Sequence, residues 1–564
     1  MNARSNPGEL VYAPLGGAGE IGMNLYLYGT GTEKKREWIV VDVGIGFTGG
    51  QLPGVDVVLP DTAHIEALGS AVKAIVLTHA HEDHYGAVAE LWRRLKLPVY
   101  ATPFTAELLK GKLYEHGLED QVPLNVLGLG SPFKIGAFEL EFVTMTHSIP
   151  EPSGLIIRTG AGTVLHTGDW KLDAEPVISP NTDLDKLTAL GEAGCDAMVC
   201  DSTNVFRDGV SASEAEVARS LTKIIASAEH RVAVTTFSSN VGRIISLVRA
   251  GQEAGRDIVL AGRALHRITA AAEATGYLTG AGKLLDARDF ADVPRHRCLA
   301  IVTGSQGEPR AALSRIATGT HPNIRLEPDD LVIYSSKNIP GNELAIAQVE
   351  NRLAEMGVKI INSDRHLVHV TGHPRRGELK AMYEMVKPKL AVPMHGEYRH
   401  LTEHAAFARE LGVPQSLVVP NGSLARLVPG PGQVIGEVSA GRLLRDGEIL
   451  VPESDPAVRE RRSLSFAGAV FISMVLDENS GELASDTEIH LLGIPEPTDH
   501  GPDLDELVEN AIDKAMKKLP RARRRDPDHV AEMVRRSVRG VLRQAWGKKP
   551  ETRVAVAHVR LARR

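Results

Sequence analysis

The stretch "LTHAHEDHYGA" (77–87) decides how the rest of the chain is read. It sets three histidines, a glutamate and an aspartate within six positions, His79 to His84. The preceding "AIVL" has the pattern of a short buried strand, and "YGAVAELWRRL" (85–95) that of a helix. The cluster therefore falls on a loop at a strand end. His79 and His81 are two residues apart and point the same way in extended backbone, whereas the adjacent Asp83 and His84 must diverge. One such loop can serve two neighbouring metal ions, and imidazole with carboxylate suits Zn²⁺ or Mn²⁺ better than Ca²⁺. A solvated polar loop would be the better reading of a lone histidine. H-x-H-x-D-H directly after an apolar strand has the spacing of metal ligands instead.

Working outward, further ligand types stand at strand-to-loop junctions. His147 follows "FELEFVTMT" (138–146), Asp169 ends "LIIRTGAGTVLHTGD" (155–169), and His395 follows "LAVPM" (390–394). Asp42 lies in the buried-strand pattern "WIVVDVG" (38–44). Its plain alternative is an Asp in a turn. The first third thus reads as strand-rich, with "FELEF" alternating and 155–169 forming two strands around a Gly-containing turn.

From about residue 213 the pattern becomes strand, small-residue loop, helix, repeated. "RVAVTTFSSN" leads into "VGRIISLVRAG", "CLAIVTGSQGEP" into "RAALSRIATG", and "DLVIYSSKNIPGN" into "ELAIAQVENRLAEMG". Such alternation implies a parallel, helix-covered sheet whose ligands bind at the carboxyl ends of the strands. "VPGPGQVIG" (428–436) marks a boundary nearby. Residues 460–564, with strand candidates "AGAVFISMVLD" and "RVAVAHVRL" and two basic helical stretches, read as a small α+β domain.

Bulk properties narrow the function classes. The 564 residues suggest three or four domains at ~150 residues each, as a prior. The three cysteines have no C-x-x-C spacing, which argues against a disulfide framework or a thiolate zinc site. "MNARSNPGEL" lacks a signal-peptide core, and no run reaches the ~18 apolar residues of a membrane span, so the expectation is a soluble, cytoplasmic protein without a membrane partner. A net charge of −7 announces no nucleic-acid partner, so basic surface must be local. An aromatic content of 4% argues against an extended base-stacking platform. "GAGEIG" (17–22) matches a dinucleotide fingerprint, but the strand pattern "MNLYLYG" follows where a helix is required, so a Gly-rich hairpin turn is preferred.

Asp42, His79-x-His81-x-Asp83-His84, His147 and Asp169 together resemble the motif series of the metallo-β-lactamase fold. The α/β insert between Asp169 and the last histidine resembles the β-CASP nucleases. "GGAGEIGMN", "DSTN" (201–204), "TGSQGEP" (303–309), "IPGNE" (339–343), "HVTGH" (369–373) and "HGE" (395–397), in this order, resemble the bacterial ribonuclease J family. Each motif is modest alone; their combination over most of the chain is specific. The resemblance implies an α/β fold: a metallo-β-lactamase αββα sandwich (1–212 and 346–448), an inserted α/β β-CASP domain (213–345), a linker (449–459) and a C-terminal α+β domain (460–564).

The resemblance also implies roles. His79, His81 and His147 hold one metal; Asp83, His84 and His395 hold a second; Asp169 bridges them; Asp42 orients ligands from behind. The cofactor is two Zn²⁺ (or Mn²⁺) per chain. The activity implied is a two-metal ribonuclease, 5′-to-3′ on RNA with a 5′-monophosphate and also cutting internally. Asp83, His373 and Asp201 are its catalytic candidates, with His373 next to the leaving group. His369 and Thr371 are expected to contact substrate phosphate; the plain alternative for the two "HVTGH" histidines is packing. A DST turn capping a helix is the alternative for Asp201. The loops "FSSN", "TGSQGE" and "SSKN" precede helices and suggest a terminal-phosphate pocket of Ser239, Asn240, Arg243, Gly304, Ser305 and Arg310, against ordinary helix caps.

This sequence departs from the family at Ala80 (often Gly), at Thr371 (often Ser) and at "PRRGE" (374–378), where Arg375 and Arg376 are either RNA contacts or solvated. The basic segments "KKLPRARRR" (517–525) and "RRSVRGVLRQAWGKK" (535–549) are read chiefly as solvated faces. The partners implied are RNA, a homodimer or homotetramer through the C-terminal domain, and an RNA-degradation complex. Two other classes compete: a fold relative hydrolysing a small ester, thioester or lactam, and a non-catalytic RNA-binding subunit. The long insert disfavours the first and the complete ligand set the second.

Overall fold

The computed structural model describes residues 8–48, 52–55, 57–178, 180–339, 341–495 and 503–560. The first seven residues, part of the N-terminal reading above, lie outside them, as do Pro340 of "IPGNE" and Leu561 of the last strand candidate. The chain forms two compact units, Met1–Gly49 with Val57–Arg445, and Gly50–Asp56 with Asp446–Arg564.

Two sheets stack face to face in the first unit. One runs in the order Gln433–Glu437, Ser423–Val428, Glu9–Gly16, Leu25–Thr32, Lys35–Val41, Val72–Val76, Val99–Ala101, Leu124–Val126. The other runs Pro132–Ile135, Phe138–Thr144, Ser153–Arg158, Thr163–His166, Ala197–Asp201, Leu390–Met394, Gln415–Ser416. Their facing side chains close one core, with Tyr12, Tyr28, Val41 and Val76 meeting Phe138, Phe142, Ile157 and Val199. Alternate residues of the second sheet point the other way: Met198, Cys200 and Ala391 pack with Leu187, Leu379, Met382 and Ala408 from helices Leu184–Ala193, Arg376–Val386 and Tyr398–Glu410. Strand period and helix period together therefore give the expected αββα sandwich. Gly17–Gly22 lies in the connection between antiparallel strands Glu9–Gly16 and Leu25–Thr32, and no helix follows it.

The expected parallel sheet is also present. Its order is Leu285–Asp286, Asp257–Ala261, Cys298–Val302, Val232–Thr235, Leu331–Tyr334, Lys359–Ile361, every pairing parallel. The last strand lies beyond 345, where the sequence reading ended the insert. Helix Glu343–Glu355 spans that point and carries the chain back to pair Lys359–Ile361 with Leu331–Tyr334. A boundary placed after the last apolar loop motif misses this short, half-exposed strand.

In the second unit, strands Glu488–Leu492, Ala469–Asp477 and Glu551–Val559 form a sheet. Helices Leu504–Lys518 and Pro527–Trp546 cover it through Ile472, Met474, Val508, Ile512, Val534 and Val538. The segment read as a linker contains strand Ile449–Pro452 and the start of helix Pro456–Ala467, whose N-cap Asp455 accepts from Ala457 N. No helix of the described residues is long and apolar enough to cross a membrane.

Candidate metal centre

Six strands of the sandwich deliver site residues just past or at their carboxyl ends. Asp42 follows Lys35–Val41, Thr78 and His79 follow Val72–Val76, and His147 follows Phe138–Thr144. Asp169 follows Thr163–His166, Asp201 ends Ala197–Asp201, and His395 follows Leu390–Met394. Because Asp201 pairs in register with Met394, the second and third of the late strands end level. Asp42 (φ 61°) and His395 (φ 51°) take the left-handed conformation that a non-glycine residue adopts at a cost, a feature that gathers at functional sites.

The structure brings all seven expected ligands together. His79 Nε2 and His147 Nε2 lie 3.1 and 3.0 Å from His81 Nδ1. Asp83 Oδ2 lies 3.2 Å from His395 Nε2 and 3.6 Å from His84 Nε2. Between the groups, Asp169 Oδ2 is 3.2 Å from His84 Nε2, 3.5 Å from His395 Nε2, 3.8 Å from His147 Nε2 and 3.9 Å from His79 Nε2. Donor atoms of His79, His81, His147 and Asp169, and of Asp83, His84, Asp169 and His395, each fall within 4.8 Å of one another. His81 and Asp83 are half-buried and the other five are buried.

The outer nitrogens say what the inner ones are for. His84 Nδ1 donates to Asp42 Oδ2 (2.7 Å), and His147 Nδ1 donates to the Gly372 carbonyl (2.5 Å). His79 Nδ1 sits 2.9 Å from Thr78 Oγ1, which donates on to Asp42 Oδ2. His395 Nδ1 sits 2.8 Å from Thr203 Oγ1, itself 2.7 Å from Asp201 Oδ1. Each ring is therefore held from the outside with its inner nitrogen turned toward the cluster, the arrangement that fixes metal-binding histidines. Asp169 Oδ1 is buried with no hydrogen-bond partner. The donor set fits a metal site of nitrogen and oxygen ligands.

Electrostatics agree. Burial, then the neighbouring imidazoles, hold His79 and His147 well below the usual histidine range, and burial lowers His81 to about 4. Burial opposes charge on His395 too, but Asp169, Asp83 and Asp201 outweigh it and lift this group to about 9. His84 is raised against burial by Asp169, Asp83 and Asp42. Burial works against ionised Asp83 and Asp169, yet both are lowered, chiefly by His84 and His395. Metal-free, the carboxylates of the cluster favour a proton on His395 and push His84 in the same direction.

His373 stands beside the cluster. Its Nδ1 donates to Asp201 Oδ2 (2.7 Å), and its ring stacks at 5.4 Å from His395. Thr371 Oγ1 accepts from Asn204 Nδ2 (2.8 Å) and from His373 N (3.2 Å). His369 is half-buried beside Phe237, with Nδ1 unpartnered; burial, then Arg243 and Lys337, hold it well below the usual range and neutral.

The expected phosphate pocket is not assembled as read. Arg243 is fully buried, and its guanidinium is engaged by Glu214, Ser335 and Val368, so it cannot meet RNA. Asn240 caps helix Val241–Glu253, its Oδ1 accepting from Arg243 N, and Ser305 is buried under Gln306. Gly304 (φ 115°) is required by close packing on Ala311 and Leu313. Ser239 is half-exposed and Arg310 exposed. Arg376 pairs with Glu403 (3.0 Å) and lies over Phe407, a structural use.

Sequence reasoning missed four residues that touch the cluster. Asn24 Nδ2 lies 2.9 Å from His84 Nε2 and 3.0 Å from Asp83 O, while Tyr26 OH donates to its Oδ1. Thr78, Thr203 and Gly372 hold the rings of His79, His395 and His147. The signal for Asn24 was available: a buried-strand pattern opening on Asn directly after "GGAGEIGM". That stretch is not merely a turn, because its Gly22 lies against Asp83, as does Gly44 at the end of "WIVVDVG", where a Cβ would overlap the Asp83 carbonyl.

Four family models match the chain: "Metallo-beta-lactamase superfamily" over 23–224, "Ribonuclease J, beta-CASP domain" over 229–353, "Zn-dependent metallo-hydrolase RNA specificity domain" over 360–418, and "Ribonuclease J C-terminal domain" over 456–559. The chain is 47% identical to Ribonuclease J of Sinorhizobium meliloti, covering 98% of both chains. It is 38% identical to Ribonuclease J of Mycolicibacterium smegmatis over 96% of both. To Ribonuclease J of Helicobacter pylori strain 26695 it is 32% identical, over 98% of this chain and 80% of that one.

Proposed function

The chain belongs to the ribonuclease J family of metal-dependent ribonucleases, and from that premise we propose that it degrades RNA from a 5′-monophosphate end, releasing mononucleotides 5′ to 3′, and also cuts internally. The observation that carries the reading is the convergence of six inward-facing imidazole and carboxylate groups on Asp169, with His373 held beside them by Asp201.

In this reading His79, His81 and His147 hold one ion, Asp83, His84 and His395 the other, and Asp169 lies between; the ions are Zn²⁺ or Mn²⁺, whose preferences the donors meet. When bound, such a pair supplies Lewis acidity: a nucleophile at neutral pH and neutralisation of phosphate charge. The chain's own residues do the rest. Asp42 and Asp201 lock four ring orientations through His84, Thr78, Thr203 and His373. With Nδ1 committed to Asp201, His373 offers Nε2 to the departing oxygen as proton donor, and burial is outweighed by Asp201 and Asp169 in raising its pKa toward that charged form. The Thr371 hydroxyl accepts two bonds and keeps its hydrogen for a phosphoryl oxygen. His369, neutral and with one nitrogen unpartnered, is a second phosphate contact, with Ser239 on the neighbouring loop. Cytoplasmic location, a homodimer or homotetramer through the C-terminal domain, and membership of an RNA-degradation complex complete the proposal.

The test uses RNA with a 5′-monophosphate and a 5′ label, supplied with Mn²⁺ and controlled with EDTA. Immediate release of labelled mononucleotide, blocked by a 5′-triphosphate, is expected. Labelled fragments of many lengths would make the enzyme chiefly an endonuclease, and absence of metal-dependent cleavage would sink the reading.

A further inference from the structure

Outside the metal centre, four buried charged residues form one group: Lys171, Asp173, Glu214 and Arg243, two of each sign. Lys171 Nζ is 2.8 Å from Asp173 Oδ2 and 3.9 Å from Glu214 Oε1. Glu214 N donates to Asp173 Oδ2 (2.9 Å), and Arg243 Nη2 donates to Glu214 Oε2 (2.8 Å). Burying four charges is expensive, and a packed apolar core would hold the same elements as firmly. What an apolar core could not do is bond the Val368 carbonyl, as the Arg243 guanidinium does at its end of this chain of charges.

At one end Lys171 N donates to the Thr146 carbonyl (2.8 Å), Thr146 Oγ1 donates to the Lys171 carbonyl (2.6 Å), and Asp173 N donates to Thr146 Oγ1 (3.2 Å). Thr146 precedes His147. At the other end Arg243 Nη1 donates to the Val368 carbonyl (2.8 Å) and to Ser335 Oγ (2.5 Å), while Ser335 Oγ also donates to the Val368 carbonyl (2.7 Å). Residues 367–371 belong to no helix or strand, so their course depends on such anchors. Four residues on, the Gly372 carbonyl accepts the His147 Nδ1 proton, in a fit so close that a Cβ at 372 would lie 2.6 Å from the ring. The group thus reaches the His147 ring through Arg243, Val368 and Gly372, while main-chain atoms of Lys171 and Asp173 hold the preceding Thr146.

We propose that Arg243 is a positioning residue for the metal centre: by fixing Val368 it fixes the Gly372 carbonyl, which holds the His147 ring with Nε2 toward His81 and Asp169. This rests on reading His147 as a ligand of one of two ions. A lysine at 243 would keep the charge opposite Glu214 but could not bond Glu214, Ser335 and Val368 together, since only guanidinium has that fork.

The test titrates the full-length, metal-stripped protein with Co²⁺, following ligand-field absorption, for the unmodified chain, Arg243→Lys and Ser335→Ala. We expect two uptake steps in the unmodified chain. In Arg243→Lys one step weakens by ~10–100-fold, the range for losing an outer partner of a ligand, with an altered spectrum for that ion, and the other step is unchanged. Ser335→Ala weakens the same step by less and keeps the proposal testable should Arg243→Lys not fold. Two unchanged steps in the folded variants, or equal weakening of both, would overturn the positioning role alone. A lack of Co²⁺ uptake by the unmodified chain would overturn the metal-centre reading, and the positioning role with it.

Discussion

The metal centre and the loops of the insert both gather polar side chains past the ends of strands, yet they dispose of them in opposite ways. Around Asp169 the outer ring nitrogens are bonded and the inner ones converge, so the chemistry faces a common point. In the insert, Asn240 is spent on a helix cap, Ser305 on its neighbour Gln306, and Arg243 on a buried carboxylate and two backbone segments. A polar residue at a strand end is thus available for function only if the fold leaves its working atom unpartnered. That distinction can be attacked from both sides.

The largest effect is expected at His81, whose Nδ1 lies within 3.1 Å of two other inward nitrogens. His81→Ala should abolish turnover, beyond the ~10–100-fold typical of an outer-partner loss, and lower bound metal while circular dichroism stays the same. Retained turnover at full metal content would mean the convergence is not the working centre. His373→Ala should separate chemistry from metal: kcat falls by ~10²–10⁴-fold, the scale of general acid catalysis, while elemental analysis finds the metal content unchanged. Loss of metal in that variant would make His373 a ligand and not a proton donor.

On the insert side the expected effect is on stability. Arg243→Ala leaves Glu214 buried without its partner, which costs ~3–5 kcal/mol. Arg310, exposed on the neighbouring loop, should change stability by ~0.5 kcal/mol or less when replaced by Ala. Urea midpoints of the two variants decide the matter; equal midpoints would remove the contrast between a structural and a solvent-facing arginine.

Legibility followed the same line. The candidate ligands could be read because they are metal-capable residues clustered after apolar strands, with Asp83 and His84 on the short helix Glu82–Tyr85 that follows one, a local pattern that the sandwich converts into convergence. Arg243 could not, because its fate depends on Glu214, 29 residues away, and on Val368, 125 residues away. Its setting in "VGRIISLV" did carry a hint, since residues 241–248 are buried throughout and a charge among them needs a partner. Thr203 and Gly372 escaped for a related reason: they act on candidate ligands that only the folded chain brings near. The insert's last strand, Lys359–Ile361, is three residues long and half-exposed, too short for a periodicity to register.

The smallest effect sharpens the comparison most, because it reads charge and not structure. Metal-free, His395 is held up at about 9 by Asp169, Asp83 and Asp201 against its burial, and His84 is raised in the same way. His395 is therefore protonated at pH 7, with His84 pushed the same way, and the protonation of His395 favours the metal-free fold fully below ~6.5 and loses its effect as pH rises through about 9. A cation needs the neutral rings, so uptake must expel protons, and affinity should rise by ~10-fold per pH unit for each proton released. For His395 the rise should flatten above about 9. Asp83 and Asp169, lowered from the ordinary range, stay ionised throughout and add nothing to the slope. Calorimetric titration at pH 7 in two buffers of different ionisation enthalpy measures the protons directly. An uptake enthalpy independent of buffer would mean that His84 and His395 are already neutral, and that the carboxylates around Asp169 are not what holds the metal-free centre together.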